Sequence, residues 1–476
     1  MKDFLKKISY QDLLFAFLSL SLFIVFLMPF THYTSLNLID ISSGATKQYK
    51  NDLLTANIGL FKNRYYIFYY VLCVSSIAIL LNCKLLKNLI IYFRSFSKVI
   101  QIAVTLFFVF GVVSSCFAIS PSIAFKGVGV TFLQFINVMF IAWYIQHKEV
   151  AIRNFYIVVM LSLVFFGGAL VLQLLLSNFS AYNAVVLGSI QKTLLYMYNC
   201  LNPRFLDNYF SWFMPLLLLA WFVDLRPIYK IGSFIALTFV WFVLIHHAFR
   251  TIFAEYLVIL PLLLIFSRKY FFITIKIMLL SIVTAIALDV VLQNFIMIIP
   301  NTDIASFARY SSTGRIPVWI EAFNIGLAHP FTGIGQWNYL AVTKYSYAGY
   351  PHNFLLEIWS QWGIPAFICA AVVIITCAKN LLKNSKAICA NPYHCIFVMM
   401  LVAGMVDGML NAMFKTSLGL FGSVFVFGLC LSMFKYKSND SDEVVGVLSR
   451  AIVCLAILAS LFCITILPFI FQPAWM

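Results

Sequence analysis

Charged side chains are scarce in this sequence: Asp, Glu, Lys and Arg make up only 10% of its 476 residues, and 63% are hydrophobic. Soluble domains average about a quarter charged residues and about half apolar ones. A chain with so few polar groups cannot cover a water-facing surface, which excludes an ordinary soluble domain. Its repeated apolar runs of about 18 or more residues are long enough to cross a bilayer as helices. The sequence therefore predicts an all-α polytopic integral membrane protein with the lipid bilayer as its solvent.

Metal-ligand and disulfide patterns are also lacking. The eleven cysteines are scattered, and no CxxC or Cys/His ligand spacing occurs. Zinc sites and disulfide frameworks depend on such spacing, so we expect no metal ion and no cofactor. The net charge is +16, but Lys and Arg form short clusters between apolar runs rather than one basic patch. Such clusters are typical of cytoplasmic loops in membrane proteins, and nucleic acid is not expected as a partner.

The apolar runs predict about 12–13 transmembrane helices. The candidate segments are 11–30, 65–82, 99–118, 124–145, 154–176, 209–223, 231–248, 251–267, 271–293, 363–378, 396–413, 417–434 and 448–472. With the N-terminus in the cytoplasm, most Lys and Arg residues fall in cytoplasmic gaps, as the positive-inside rule expects. This orientation places one large loop, residues 294–351, outside.

The longest break in the apolar pattern runs from Asn301 to about Pro365 and holds arginines, histidines and carboxylates. Prolines divide it into short pieces. The piece IPVWIEAFNIGLA predicts an amphipathic helix, and FLLEIWSQW has apolar residues at near-helical spacing. We expect the second piece to lie along the membrane interface before the next span. Pro351 disfavours helix for the residue before it, which would set His352 at the start of this helix.

Ionisable groups in or beside lipid are costly and are functional candidates. Arg250 lies at a turn between two spans, with Glu255 about one helical turn later as its predicted ion-pair partner. The alternative for Arg250 is a snorkelling side chain that only marks the membrane boundary. Arg204 lies three residues before Asp207 at the end of an outer loop, and Asp407 lies near the outer end of a span.

Arginines and a histidine on one membrane face suit a particular chemistry. Guanidinium groups bind phosphate oxygens in pairs and stay charged. A histidine can take a proton from a hydroxyl near neutral pH. These are the groups needed for glycosyl transfer from a lipid pyrophosphate. The alternative for His352 is a helix-start hydrogen bond without chemistry.

Four segments in order resemble the bacterial O-antigen ligase/polymerase family, whose shared region is the Wzy_C or O-antigen ligase domain. They are NPRFLDNYFSWFMPLLLLAWF, HHAFRTIFAEYLVILPLLL, TGRIPVWIEAFNIGLAHPFTGIGQWNYL and PHNFLLEIWSQWGIPAF. The resemblance implies a GT-C-like glycosyltransferase of the bacterial inner membrane that inverts the anomeric centre and works without a metal on the periplasmic face. It also implies a glycan on undecaprenyl pyrophosphate as the donor and lipid A–core or another glycan as the acceptor.

The resemblance assigns roles by position. His352 matches the family's catalytic histidine. The residues that it places at the pyrophosphate are Arg250, Arg315 and Arg204. Those expected to support the site are Glu255, Asn353 and Asp407.

The same resemblance predicts three regions. These are N-terminal transmembrane helices at 1–200, a ligase-like catalytic region at 201–435 that includes the periplasmic loop 294–351, and a cytoplasmic linker with a final span at 436–476. O-antigen ligase is the favoured activity. A polysaccharide polymerase and a protein O-oligosaccharyltransferase stay open as alternatives, and a transporter or flippase for lipid-linked sugars is the alternative of another class. A transporter is expected to show broken helices and charged groups near the bilayer midplane.

Overall fold

The computed structural model of the protein describes residues 9–27, 66–177, 205–247, 251–296, 314–345, 349–411, 413–434 and 447–465. These segments are helical and contain no strand. Their α-helices, in chain order, are α1 Tyr10–Leu27, α2 Tyr66–Leu81, α3 Cys83–Arg94, α4 Lys98–Cys116, α5 Pro121–His147, α6 Val150–Ser177, α7 Phe205–Phe213, α8 Leu219–Phe222, α9 Pro227–His247, α10 Thr251–Phe266, α11 Arg268–Ile296, α12 Arg315–Ala328, α13 Tyr339–Val342, α14 Phe354–Lys383, α15 Ser385–Ala390, α16 Pro392–Leu410, α17 Ser417–Ser432 and α18 Val447–Thr465.

Eight of the described helices are long and apolar enough to cross a membrane: α1, α4, α5, α6, α9, α11, α14 and α16. Helices α2 and α3 meet at an angle of 100° and would form a ninth span together. Shorter apolar helices are α10, α17 and part of α18. Large apolar side chains face outward, such as Leu257, which is 76% exposed. The all-α polytopic membrane fold is confirmed, and the count of 12–13 spans stays a prediction.

Helix α5 holds the two ends of the chain together, because it packs against α4, α17 and α18. Helix α14 packs against α4 and α12. Contacts therefore run across the region boundaries expected near residues 200 and 435, which stay predictions. Helix α7 packs between α16 and α17. Its buried Trp212 lies against Gly404 and Gly422, where an added Cβ would come within 1.9 and 2.3 Å of the indole.

The segment predicted as one span at 209–223 is not a single helix. Helix α7 ends at Phe213, a 3₁₀ turn follows at Pro215–Leu218, and α8 adds one further turn. The physical reason is Pro215, which has no N–H to donate and whose ring clashes with the preceding helical turn. These residues are buried in the protein rather than exposed to lipid.

A break in α14 separates its first nine residues from the rest. Gly363 has φ 81° and ψ 178°, which interrupts the helix between Trp362 and Ile364. The loop after α12 fills the gap: Ile334 N–H donates to the Ser360 carbonyl at 3.1 Å, and Ile364 N–H donates to the Pro330 carbonyl at 2.7 Å. The first part of α14, which holds FLLEIWSQW, is thus a separate helical piece, and α14 packs against α12. Its place along the membrane interface stays a prediction.

Gly333 gives a stability test of this docking. Its φ is +62°, and an added Cβ would lie 2.3 Å from the Gln361 carbonyl carbon. We expect Gly333→Ala to destabilise the fold by about 2–5 kcal/mol, because left-handed backbone strain and overpacking add. Gly168→Ala is the matched control, since nothing lies within 4 Å of its Cβ position. Thermal melting of the two purified variants measures the difference, and equal melting temperatures would contradict the docking role.

Candidate active site

A shallow surface recess lies at the start of α14. Its lining comes from three parts of the chain: the turn before α14, the first turn of that helix, and the connection between α16 and α17. The lining residues are Tyr350, His352, Asn353, Phe354, Glu357, Gly408, Asn411, Phe414 and Lys415. Most of these side chains are polar or charged, although the surrounding helices are strongly apolar. This recess is therefore a candidate catalytic site within the described part of the chain.

His352 stands two residues before α14, in a left-handed backbone conformation with φ 55°. Such a conformation is uncommon for residues other than glycine and is found at functional sites. Asn353 makes it possible to start the helix directly afterwards: its Oδ1 accepts from the N–H groups of Leu355 and Leu356 at 3.0 and 3.1 Å. Its Nδ2 also donates to the Met409 carbonyl at 3.3 Å, which ties this turn to α16.

Arg315, the first residue of α12, reaches the edge of the recess through Asn411. Its Nη2 donates to Asn411 Oδ1 at 2.8 Å. Asn411 Nδ2 lies 2.6 Å from Asp407 Oδ1, so one amide links the guanidinium to a carboxylate one helical turn earlier on α16. Asp407 is fully buried. The structure thus brings Arg315, Asp407 and the His352 recess together.

Two buried side-chain hydrogen bonds connect α7 and α10. Thr251 Oγ1 donates to Asp207 Oδ2, and Ser211 Oγ donates to Glu255 Oε1 at 2.6 Å. Both helices supply residues four positions apart, which lie on one helix face. All four residues are buried. Asn411 joins this group as well, since its Nδ2 lies 3.3 Å from Asp207 Oδ2 and 3.4 Å from Thr251 Oγ1.

Three carboxyl groups are therefore buried close together, on α7, α10 and α16. Among the residues with described side chains, Glu255 Oε2 and Asp407 Oδ2 receive no hydrogen bond. Buried carboxylates in a membrane protein need cations or protons. Arg315 supplies one cation at the edge of the group. Arg250 and Arg204 lie outside the described residues, so the predicted Arg250–Glu255 pair stays a prediction; the partner seen for Glu255 is Ser211.

Lys415 and Glu357, both in the recess lining, form an ion pair. Both are mostly buried, with side-chain exposures of 14% and 18%. The Lys415 Nζ also lies 6.0 Å from the centroid of the Trp337 ring, a cation–π distance. Glu357 Oε1 accepts from Gln361 Nε2 at 3.4 Å. The recess lining thus contains an ammonium group, paired with Glu357, as well as the His352 imidazole.

Tyr350 closes the recess beside His352, with the two ring centroids 4.4 Å apart. Burial and the Glu357 carboxylate raise the pKa of Tyr350 to about 12, against a smaller lowering by the Arg315 guanidinium. The phenol therefore stays protonated at any physiological pH and can donate a hydrogen bond.

Sequence reasoning missed Asn411, Lys415 and Thr251. None of them belongs to a recognisable motif, and each becomes important only through helices distant in sequence. Thr251 follows Arg250 directly in the sequence. Asn411 lies four residues after Asp407, and this i,i+4 spacing could have indicated that the two side chains lie on one helix face. Within the described segments, no group of three His, Cys, Asp or Glu side chains has an arrangement that could hold a metal ion.

Comparison with known families bears on this geometry. Residues 216–371 match the model of the Wzy_C family, described as O-Antigen ligase. The resemblance stated from the sequence is thereby confirmed over this segment. The Wzy_C match contains Arg250, Glu255, Arg315, His352 and Asn353 but ends before Asp407, Asn411 and Lys415. A search of curated proteins finds no match.

The Wzy_C match and the membrane helices together support a glycosyltransferase-like enzyme of O-antigen or polysaccharide processing. The matched segment holds α12 and the start of α14, which carry Arg315 and His352. The residues that complete the recess from α16 and the following connection lie outside it. The site is therefore built partly from the Wzy_C segment and partly from helices after it.

Proposed function

We propose that the protein is a membrane glycosyltransferase that moves a glycan from undecaprenyl pyrophosphate to an acceptor hydroxyl on the periplasmic face of the bacterial inner membrane. O-antigen ligase, with lipid A–core as the acceptor, is the proposed activity. The observation that carries the proposal is the recess that His352 and Asn411 both line, because the Asn411 amide also accepts a hydrogen bond from Arg315. Both His352 and Arg315 belong to the Wzy_C segment.

The proposed reaction is a single displacement. The acceptor hydroxyl oxygen forms a bond to the anomeric carbon of the donor sugar, and the bond from that carbon to the pyrophosphate oxygen breaks. His352 accepts the hydroxyl proton, and the bonding electron pair leaves with undecaprenyl pyrophosphate. Attack from the face opposite the leaving group inverts the anomeric centre. A well-placed general base contributes about 10²–10⁴-fold to such a step.

Arg315 is proposed to hold the leaving pyrophosphate. A guanidinium binds two phosphate oxygens at once and stabilises the charge that grows on them. The bond to Asn411 and the buried Asp407 behind it fix the direction of this side chain. Arg250 and Arg204, which the resemblance also assigns to the pyrophosphate, are proposed as further cations. Glu255, Asn353 and Asp407 are proposed to support these groups.

The position of the polar groups favours surface chemistry over transport. Asp207 and Thr251 lie in the first turns of α7 and α10, and Asp407 lies in the last turn of α16. His352 stands just before α14. A transporter is expected to bind its cargo at broken helices near the bilayer midplane. The breaks at Pro215 and Gly363 carry no charged side chain. The buried carboxylates and His352 lie near helix ends instead.

Deletion of the gene tests this proposal through the surface glycan of the cell. We expect a deletion strain to lose all polymer attached to lipid A–core, because undecaprenyl-linked polymer would still be made but not transferred. The chain expressed from a plasmid should restore the ladder of attached polymer on gels. Single attached repeats in the deletion strain would instead indicate a polymerase. An unchanged ladder would contradict a role in either step.

A further inference from the structure

A buried lysine lies on α5, beyond the groups used in the proposed reaction. Lys126 is 8% exposed, and its Nζ lies 5.4 Å from the centroid of the Tyr69 ring on α2. None of the ion pairs found among the described residues includes Lys126. A cation–π contact is weaker than the cost of removing an ammonium group from water. A bound anion would stabilise the charged form of this lysine.

Two aromatic rings connect Lys126 with the recess. The Tyr69 and Trp337 ring centroids lie 6.3 Å apart, with 31° between the ring planes. The Trp337 ring in turn lies 6.0 Å from the Lys415 Nζ, which belongs to the recess lining. Two ammonium groups thus stand at the two ends of one aromatic pair. Aromatic side chains beside cations are suited to a ligand with both an apolar ring face and a negative charge.

Gln336 holds the loop that carries Trp337 against α5. Its Nε2 donates to Thr131 Oγ1 at 3.0 Å, and its side chain lies against Gly127, where an added Cβ would come within 2.8 Å of Gln336 Cδ. Its Oε1 is buried and accepts no hydrogen bond from the described part of the chain. At Gly127, the residue after Lys126 in sequence, the protein therefore also offers an acceptor for a hydroxyl group.

We propose that Lys126 is an anion-binding residue for the glycan substrate, in a site that extends from the recess past Trp337 and Tyr69. The ligand is an oxyanion attached to a sugar, which Lys126 neutralises while the aromatic pair contacts the sugar ring and Gln336 accepts a hydroxyl. Two sources share this chemistry: the phosphate of the lipid carrier and an acidic group on the glycan. The inference rests on the proposed function, because it assumes a lipid-linked glycan in the recess.

The test is direct binding to the purified full-length protein in phosphatidylcholine nanodiscs, measured by calorimetry. Inorganic pyrophosphate represents the carrier phosphate, and tri-galacturonate represents an acidic glycan. We expect Lys126→Met to weaken the binding of one of these probes by about tenfold or more, since a charge-assisted hydrogen bond is lost. Lys126→Arg keeps the charge and should retain most of the affinity. Lys84→Met, at an exposed lysine of α3, is the matched control and should change neither affinity.

Loss of pyrophosphate affinity would assign the site to the carrier phosphate, and loss of tri-galacturonate affinity would assign it to an acidic sugar. Unchanged affinity for both probes, or no binding of either probe to the wild type, would overturn the proposal. A purely structural lysine predicts a lower melting temperature for ligand-free Lys126→Met. Our proposal predicts no such loss, because removing a buried charge without a counter-ion does not destabilise the fold. These readouts need no glycosyl transfer, so they can fail independently of the proposed function.

Discussion

Replacement of His352 by alanine is expected to lower the rate of glycosyl transfer about 10²–10⁴-fold, the usual contribution of a positioned general base. The imidazole lies in the recess beside Tyr350, at a turn that the Asn353 cap fixes at the start of α14. Alanine leaves Asn353 and the helix start unchanged but removes the group that accepts the hydroxyl proton. Single-turnover transfer by the purified protein, from an undecaprenyl-pyrophosphate glycan to lipid A–core, measures the effect.

His329→Ala is the matched control for this variant. His329 directly follows the last residue of α12 and is exposed, outside the recess lining. We expect it to transfer glycan at the wild-type rate. The defect of His352→Ala should appear in the chemical step and not in donor binding, because the imidazole acts on the acceptor proton. Wild-type turnover by correctly folded His352→Ala would remove this histidine from the mechanism and leave it a structural residue of the turn.

The membrane fold could be predicted from the sequence because hydropathy and helix length decide it locally. Candidate segments such as 99–118, 124–145 and 231–248 correspond closely to α4, α5 and α9. The prediction of one span at 209–223 is wrong, because hydropathy does not register the helix break. Pro215 interrupts the helix although the surrounding residues are apolar, and those residues are buried in the protein. An apolar run has the same composition whether lipid or protein covers it, so only the tertiary packing separates the two cases.

The candidate site was predictable only where a motif marks it. His352 and Arg315 stand in segments whose pattern of histidine, arginine, proline and glycine is distinctive. The structure places His352 in the recess lining and Arg315 in contact with the lining residue Asn411. Asn411 and Lys415 carry no such signal, since a single polar residue near a helix end is usually a cap or a boundary charge. The role of Asn411 arises from the packing of α16 beside α7 and α10. This packing brings Asp207 and Thr251, which are far from Asn411 in sequence, to its side-chain amide.

The Arg315→Lys variant is expected to lose about 10²–10³-fold in kcat, the effect of removing one well-placed donor to a developing negative charge. Lysine keeps the positive charge but cannot reproduce the planar fork that binds two phosphate oxygens. A guanidinium has five N–H donors, and the bond to Asn411 uses one of them. Arg226→Lys, at an exposed arginine before α9, is the matched control and should transfer at the wild-type rate.

Asn411→Ala separates the charge of Arg315 from its positioning. If Asn411 acts through Arg315, its replacement should impair transfer in the wild type but add little in Arg315→Lys, which gives a coupling energy of about 0.5–3 kcal/mol in the double-mutant cycle. Asn411 also contacts Asp207 and Asp407, so thermal melting of each variant must accompany the kinetics. Additive losses in kcat would show that Asn411 and Arg315 act separately. Full activity of folded Arg315→Lys would exclude this arginine from pyrophosphate binding, because a single-point ammonium cannot replace a bidentate contact.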